Sequence, residues 1–247
     1  MIQRLYHGDA LRVLPTLPAG SVDAVITDPP YSSGGAFRGD RTQTVHAKYV
    51  SSDSWTGHQL AGFSGDNRDQ RGYLAWSTMW LSECLRLLTP GGVCAVFTDW
   101  RQLPTTTDAL QAAGLVWRGI VVWCKPNGRR TQGRWGNTCE YLVWGTNGPR
   151  PLDALPGALA GHYVYSTPAA KDRHHPTEKP LDLMRQLVQI VPPGGTILDP
   201  FAGSGTTGVA ALAEGRGFIG IELSDHYHRI AEARLAAVQP PIHPQGV

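Results

Sequence analysis

The sequence contains only four cysteines, and no two of them stand in a Cys-x-x-Cys spacing. They are scattered within or beside apolar segments, so we interpret them as free thiols, not as a disulfide framework or a metal site. No apolar run reaches the roughly 18 residues of a membrane-spanning helix. The first residues lack a basic segment followed by an apolar one. We therefore expect a soluble protein without an export signal and with a cytoplasmic location.

A strong charge of one sign is also missing, because 22 Lys and Arg residues stand against 20 Asp and Glu residues. Composition therefore does not by itself indicate a nucleic-acid-binding protein, and any DNA-binding surface must be local. The hydrophobic fraction of 41% and the charged fraction of 17% are ordinary for a globular chain. We expect one domain that spans residues 1–247.

Short apolar runs alternate with stretches of helical periodicity along most of the chain. This pattern is typical of a mostly parallel sheet covered by helices on both faces. Seven strands are predicted, at 3–7, 22–27, 93–98, 117–123, 140–144, 196–198 and 217–221. Helices are predicted at 72–88, 103–113, 180–191, 206–213 and 225–238. The expected fold class is therefore α/β with a doubly wound, seven-stranded, mostly parallel sheet.

Apart from the strand at 140–144, two stretches fit no regular element, one at 32–71 and one at 126–176. The first is rich in Gly, Ser, Asp and Arg, and both carry several basic residues. Basic side chains in such stretches either face solvent or contact phosphates. Because long insertions in a compact domain are commonly functional, both stretches are candidates for contact with a partner.

The sharpest local signal is Asp28-Pro29-Pro30-Tyr31, which follows the strand predicted at 22–27. Ligands of open α/β sheets bind at the carboxyl ends of the strands. An exocyclic base amine is a poor nucleophile, because its lone pair is delocalised into the ring. Hydrogen bonds from its two N–H groups to the Asp28 carboxylate and the Pro29 carbonyl would favour a more tetrahedral and more nucleophilic nitrogen. Preorganised groups of this kind are worth about 2 to 4 kcal/mol each at a transition state.

Tyr31 offers a flat face on which a base taken out of the duplex can stack, which returns about 1 to 3 kcal/mol. The alternative interpretation of the tetrapeptide is a rigid turn, since Asp and Pro are ordinary turn formers.

A second motif, ILDPFAGSGTTGVAAL, covers residues 197–212 and predicts a strand, a glycine-rich turn and a helix. Gly203 and Gly205 let the backbone approach a ligand closely, next to the unpaired N–H groups of a helix N-terminus. No Lys follows the glycines and their spacing is not Gly-x-Gly-x-x-Gly, which argues against a P-loop or a dinucleotide fingerprint. Asp199 suits an amino group of a ligand, and Phe201 suits an adenine ring.

Two further acidic residues follow predicted strands. Glu222 comes directly after the strand at 217–221, where a carboxylate can accept hydrogen bonds from both ribose hydroxyls of a nucleoside. Asp9 follows the first strand. It either contacts the adenine amine of a cofactor that contains this nucleoside or caps a helix that begins near Leu11.

The segment from His174 to Pro180 reads HHPTEKP. Adjacent histidines do not converge on one metal ion, so no metal is expected here. The segment is either a stiff entry to the helix that follows, with Thr177 as its N-cap, or a lid whose Thr177 and Lys179 contact a cofactor carboxylate.

Taken together, these motifs resemble the amino-methyltransferases of bacterial and phage DNA, in particular the permuted group called the β class. In that family an Asp-Pro-Pro-Tyr motif precedes a cofactor loop written Asp-Pro-Phe-x-Gly-x-Gly-Thr, and His-Pro-Thr-x-Lys-Pro comes immediately before the loop. All three occur here in that order, and the match covers roughly residues 1–31, 72–145 and 174–235.

The resemblance implies a Rossmann-like methyltransferase fold with a circularly permuted motif order and S-adenosylmethionine as the cofactor. Asp28, Pro29, Pro30 and Tyr31 would hold and activate a flipped base for direct transfer. The residues implied in cofactor binding are Asp9, His175, Thr177, Lys179, Asp199, Phe201, Gly203, Gly205 and Glu222. The substrate would be double-stranded DNA, read by a target-recognition region at 126–173. A homodimer is expected, with the insertion at 32–71 as its interface or as a DNA clamp.

Adenine N6 is the favoured target, because family members that act on cytosine N4 more often begin the catalytic motif with Ser than with Asp. Enzymes acting on RNA or on a protein glutamine more often begin it with Asn and carry the cofactor loop first. A dinucleotide oxidoreductase would need a phosphate-binding glycine pattern after the first strand, which the sequence lacks. A DNA-binding module without catalysis is a further alternative that a cofactor-binding assay tests.

Overall fold

A computed structural model of the chain describes residues 2–31, 68–128, 130, 132–133, 135–169, 171, 173–175 and 177–239. Its strands are β1 (Gln3–His7), β2 (Val22–Thr27), β3 (Leu88–Thr98), β4 (Val116–Cys124), β5 (Cys139–Thr146), β6 (His162–Val164), β7 (Thr196–Asp199) and β8 (Gly217–Glu222). Its α-helices are α1 (Ala10–Val13), α2 (Gln70–Leu87), α3 (Leu103–Ala112), α4 (Leu181–Leu187), α5 (Thr206–Ala213) and α6 (Asp225–Ala236). Single 3-10 turns follow α1 and α4, at Leu14–Thr16 and Val188–Ile190.

Within the described residues, eight strands form one sheet in the order β1-β8-β7-β2-β3-β5-β4-β6. The first five of these run parallel, β5 runs antiparallel to both of its neighbours, and β6 runs parallel to β4. The prediction of an α/β, mostly parallel sheet is confirmed, but the count of seven strands was one too low. The missed strand, β6, lies in the stretch predicted to be irregular. It has only three residues and Val164 is 58% exposed, so no apolar run marks it.

The two faces of the sheet carry separate hydrophobic clusters. Val25 and Leu198 pack on one face, beneath α2 and α3, whereas their neighbours Ile26 and Ile197 pack on the other face, beneath α4 and α5. This is the alternation of side chains along a strand, with both sides buried. The doubly wound arrangement follows because helices cover both faces.

Some predicted boundaries were wrong in detail. Helix α2 begins at Gln70, where the side chain of Asp69 accepts a hydrogen bond from the Gly72 amide at 2.7 Å, so the insertion predicted at 32–71 ends earlier. Residues 32–67 of that insertion lie outside the described residues. Thr177 is not a helix cap, because α4 begins after Pro180 without a side-chain cap. Among the described residues, no helix is both long and apolar enough to cross a bilayer.

Helix α5 lies unusually close to the sheet at Gly208. A Cβ atom built there would lie 2.5 Å from Phe218 Cε1 and 2.6 Å from Leu235 Cδ2. We predict that Gly208→Ala lowers the free energy of unfolding by about 1 to 3 kcal/mol, because overpacking outweighs the helix propensity that alanine gains. Urea denaturation measures the change.

The matched control is Gly157→Ala, where a Cβ atom would meet nothing within 4 Å. This variant should stay within about 0.5 kcal/mol of the parent protein. An equal effect of the two substitutions would contradict close packing of α5 on β8.

Candidate active site

The parallel strands place several charged side chains at one edge of the sheet. Asp28 follows β2, Lys125 follows β4, Asp199 ends β7 and Glu222 ends β8. Because β5 runs antiparallel, its second residue, Glu140, also lies at this edge. Ligands of open α/β sheets bind at the carboxyl edge, so this cluster is the candidate active site.

Lys179 connects the carboxylates of the site. Its Nζ atom donates to Asp28 Oδ2 at 2.5 Å and lies 3.3 Å from Glu140 Oε2. The hydroxyl of Tyr31 donates to Asp28 Oδ1 and lies 3.5 Å from Glu140 Oε2. Lys125 Nζ donates to Glu140 Oε1 at 2.8 Å. The result is a chain of alternating charges that runs from Asp28 to Lys125.

Aromatic rings enclose the ammonium group of Lys179. Its Nζ atom lies 5.4 Å from the ring centroid of Tyr31, 5.0 Å from that of Phe97 and 5.9 Å from that of Trp123. The Lys179 side chain is only 6% exposed. Cation–π attraction therefore adds to the two ion pairs, and the walls beside Asp28 are flat and apolar.

The pKa values of the three central groups follow from burial and charge. Burial raises the pKa of Asp28, the positive charge of Lys179 offsets part of that rise, and the negative charge of Glu140 adds to it. Burial also acts to raise the pKa of Glu140, but Lys179 and Lys125 outweigh it and leave that pKa lowered. The pKa of Lys179 is raised, because its two carboxylate partners outweigh the effect of burial. Lys179 therefore keeps its proton. Of the two carboxylates, Asp28 binds a proton more readily than Glu140 does.

The two prolines fix the backbone between Asp28 and Tyr31. Pro29 is buried and Pro30 is half-buried at the end of β2, and Tyr31 packs against the hydrophobic cluster on the α4 and α5 face. The Pro29 ring restricts its own φ and the Pro30 ring restricts the ψ of Pro29, so the Pro29 carbonyl is oriented before any ligand binds.

Asp199 is buried and stabilises the glycine-rich turn that contains Gly203 and Gly205. It accepts hydrogen bonds from Thr27 Oγ1 at 2.6 Å, from Thr207 Oγ1 at 2.6 Å and from the Phe201 amide at 3.1 Å. Burial raises the pKa of Asp199 to about 6. The carboxylate therefore connects β2, one residue before Asp28, to the start of α5.

The turn between β7 and α5 contains Gly203 and Gly205 and is called the glycine loop. Gly203 has a φ of 52° and Gly205 a φ of 81°, both in the left-handed region that favours glycine. The Gly203 amide donates to Glu222 Oε2 at 2.8 Å, and the Ser224 amide donates to Glu222 Oε1 at 2.7 Å. Glu222 therefore lies directly beside the loop, as expected for two parts of one ligand site.

Phe201 forms an aromatic cluster with two residues of α2. Its ring centroid lies 5.3 Å from that of Trp76 and 5.2 Å from that of Trp80. Trp80 is fully buried, so the cluster holds Phe201 in place at the entrance to the glycine loop.

The segment before α4 is attached to the same loop. Glu178 accepts a hydrogen bond from Thr206 Oγ1 at 3.0 Å and pairs with Arg234 at 2.9 Å. The His175 ring lies 4.4 Å from that of Tyr227, and its Nδ1 atom lies 3.1 Å from Thr177 Oγ1. Burial lowers the pKa of His175 to about 4, so the ring is neutral at pH 7.

Asp9 caps helix α1 through a hydrogen bond from the Leu11 amide at 2.9 Å, which is one of the two interpretations that the sequence left open. Its contact with a cofactor amine stays a prediction. No group of three or more His, Cys, Asp or Glu side chains that could hold a metal ion occurs among the described residues.

Sequence reasoning missed several residues of this site: Trp76, Trp80, Lys125, Glu140, Glu178 and Arg234. Glu140 and Lys125 flank a predicted loop, and only the antiparallel direction of β5 brings Glu140 to both Lys125 and Lys179. A signal was present nonetheless, since each stands where an apolar strand begins or ends.

The comparisons with known proteins point in one direction. A family model for DNA methylases, the N6/N4 methyltransferases, matches residues 22–233. The methylase homologue YubD of Escherichia coli (strain K12) is 33% identical over 240 residues, covering 96% of this chain and 92% of its own.

Solved structures agree with this assignment. M1.HpyAVI, crystallised as a complex with S-adenosylmethionine, superposes with a TM-score of 0.67 at 26% identity, covering 95% of this chain and 99% of its own. The cytosine-N4-specific PvuII DNA methyltransferase superposes with a TM-score of 0.71, covering 95% of this chain and 86% of its own, and at 17% identity it supports the fold alone. The chain therefore belongs to the N6/N4 family of DNA methyltransferases.

Proposed function

We propose that this protein transfers a methyl group from S-adenosylmethionine to the exocyclic N6 amine of adenine in DNA. Methyl transfer to DNA follows from the family. The observation that carries the proposal is the Asp28 carboxylate, held at the carboxyl edge of the sheet by Lys179 and flanked by Pro29 and Tyr31.

The glycine loop and its surroundings fit the cofactor. A Cβ atom at Gly203 would meet only a His175 carbon, at 3.9 Å, so the turn leaves room for a ligand beside the backbone. Glu222 offers carboxylate oxygens to ribose hydroxyls, and Phe201 offers a ring face to adenine. M1.HpyAVI was crystallised as a complex with S-adenosylmethionine, and the structural match to this protein covers 99% of its chain. When bound, the cofactor supplies an electrophilic methyl group.

Asp28 and Pro29 prepare the amine for attack. The Asp28 carboxylate and the Pro29 carbonyl accept hydrogen bonds from the two N–H groups, which localises the nitrogen lone pair for direct transfer. Tyr31 moves from the Asp28 carboxylate to stack on the flipped base. The proton that leaves the methylated amine passes to Asp28, whose pKa is raised by burial and by Glu140.

Cytosine N4 is the second candidate target, because the same acceptors serve either amine and the fold also resembles a cytosine-N4 enzyme. Asp28 as the first residue of the motif favours adenine, since cytosine enzymes more often carry Ser there.

We assign the contacts with DNA to the two long stretches that the sequence predicted to be largely irregular. Target recognition is assigned to residues 126–173, where Trp135 is 95% exposed and Leu152 fully exposed. The insertion before α2, predicted at 32–71, is assigned to a dimer interface or a DNA clamp. A DNA substrate is also consistent with the cytoplasmic location expected from the sequence.

Incubation of the protein with unmethylated bacterial DNA and isotope-labelled S-adenosylmethionine tests the proposal. We predict that digestion to nucleosides and mass spectrometry find the label on N6-methyladenine. Label on N4-methylcytosine would keep the mechanism and overturn the choice of base, and no label on DNA would overturn the proposed activity. Asp28→Asn is the control: it should bind S-adenosylmethionine normally but transfer at least about 100-fold more slowly. Asp182→Asn, on the exposed face of α4, should act normally.

The charge of Glu140 contributes, after burial and the charge of Lys179, to the pKa of Asp28 and so to the pH range in which Asp28 accepts hydrogen bonds. Activity needs ionised Asp28 and is therefore lost as the pH falls through the pKa of Asp28. Because the negative charge of Glu140 raises that pKa, we predict that Glu140→Gln moves the acid limb of kcat/KM to lower pH. Glu232→Gln makes the same change at an exposed position of α6 and should leave the limb in place. An acid limb that stays fixed or moves to higher pH in Glu140→Gln would contradict this role.

A further inference from the structure

Two of the four cysteines face each other across neighbouring strands. Cys124 is the last residue of β4, Cys139 is the first residue of β5, and the two are direct partners in the register. Their Sγ atoms are 3.2 Å apart, and both residues are half-buried. The sequence alone indicated four scattered free thiols, because it does not show that these two strands pair at this point.

The backbone places this pair where a disulfide fits. The amide of Lys125 donates to the carbonyl of Thr138 at 2.8 Å, so Lys125 and Thr138 form a hydrogen-bonded pair. The next pair along an antiparallel ladder, Cys124 with Cys139, is therefore a non-hydrogen-bonded pair. The Cα atoms of such a pair are about 4.5 Å apart, within the range of about 4.4 to 6.8 Å that disulfides span. Joining the sulfurs needs side-chain rotation and little backbone movement.

The other two cysteines differ in burial and in the cause of their raised pKa values, since the pKa of Cys124 is raised chiefly by its contact with Cys139. Cys84 and Cys94 are both 0% exposed in the core. Burial raises the pKa of Cys94 to about 12 and also raises that of Cys84, so neither forms the reactive thiolate readily. A metal-binding role for Cys124 and Cys139 is not supported either, since no third ligand joins them among the described residues.

We propose that Cys124 and Cys139 are a modification site: a dithiol that a peroxide converts reversibly into an intramolecular disulfide. In the first step one thiolate attacks a peroxide oxygen, the O–O bond breaks, and a sulfenic acid forms. In the second step the other thiolate attacks the sulfenic sulfur, the S–S bond forms, and water leaves. Two thiols are oxidised by two electrons in total, and one hydrogen peroxide is reduced to two water molecules.

The location of the pair gives the disulfide a structural consequence. The bond would join both ends of the connection between β4 and β5, across a sequence separation of 15 residues. This connection lies within the region assigned to target recognition. Lys125 and Glu140, which form the outer ion pair of the active site, each directly follow one of the two cysteines. Oxidation would therefore constrain the connection at the edge of the active site.

The test uses the reduced full-length protein and hydrogen peroxide in small molar excess. We expect the number of thiols that react after denaturation to fall from the four of the sequence to two. The mass should fall by about 2 Da, and a cross-linked peptide should join Cys124 to Cys139. Dithiothreitol should restore all four thiols. This readout does not use methyl transfer, so it stands apart from a failure of the proposed function.

Variants separate the proposal from its alternatives. Cys124→Ser and Cys139→Ser should each abolish the loss of 2 Da, whereas Cys84→Ala should retain it. Disulfide-linked dimers on a non-reducing gel, separate oxidation of the two cysteines to sulfinic acids, or four thiols left after treatment would each overturn the proposal.

Discussion

The buried ammonium of Lys179 is the interaction on which the site depends. A charge that is 6% exposed is tolerated only with partners, and Lys179 has Asp28 at the end of β2 and Glu140 at the start of β5. Removing one partner of a buried ion pair typically costs about 3 to 5 kcal/mol, because the remaining charge stays buried. The ammonium therefore holds two strands and the segment before α4 in one arrangement and orients the Asp28 carboxylate.

The cofactor loop is attached to this arrangement through other carboxylates. Asp199 accepts a hydrogen bond from Thr27, the residue before Asp28, and also supports the start of α5. Glu178, the residue before Lys179, accepts one from Thr206 at the start of α5. The proposed acceptor for the base amine and the proposed cofactor loop are thus parts of one connected unit. Direct transfer between two ligands requires such a unit, because the reacting atoms must be held close together and in line.

Sequence reasoning reached the fold and the motif residues, because both depend on local patterns. Apolar runs with turn signals predicted the order of most strands and helices, and the glycines at 203 and 205 predicted a turn between β7 and α5. The missed features depend on which strands pair. The three-residue strand β6 has no apolar run, and the direction of β5, which brings Glu140 to the site, is not encoded in its own residues. For Lys179 the family resemblance implied a cofactor contact, which stays a prediction, and the contact of its ammonium with Asp28 was not predicted from the sequence.

We propose that Lys179 acts in catalysis by positioning the Asp28 carboxylate. The most direct test is Lys179→Met, with the Kd of S-adenosylmethionine measured by calorimetry and the transfer rate measured in a single turnover at saturating cofactor. The account predicts a Kd within about threefold of the parent protein and a transfer rate lowered at least about 100-fold, the loss expected when a catalytic carboxylate loses its position. A Kd weakened by a similar factor with transfer intact at saturation would contradict it.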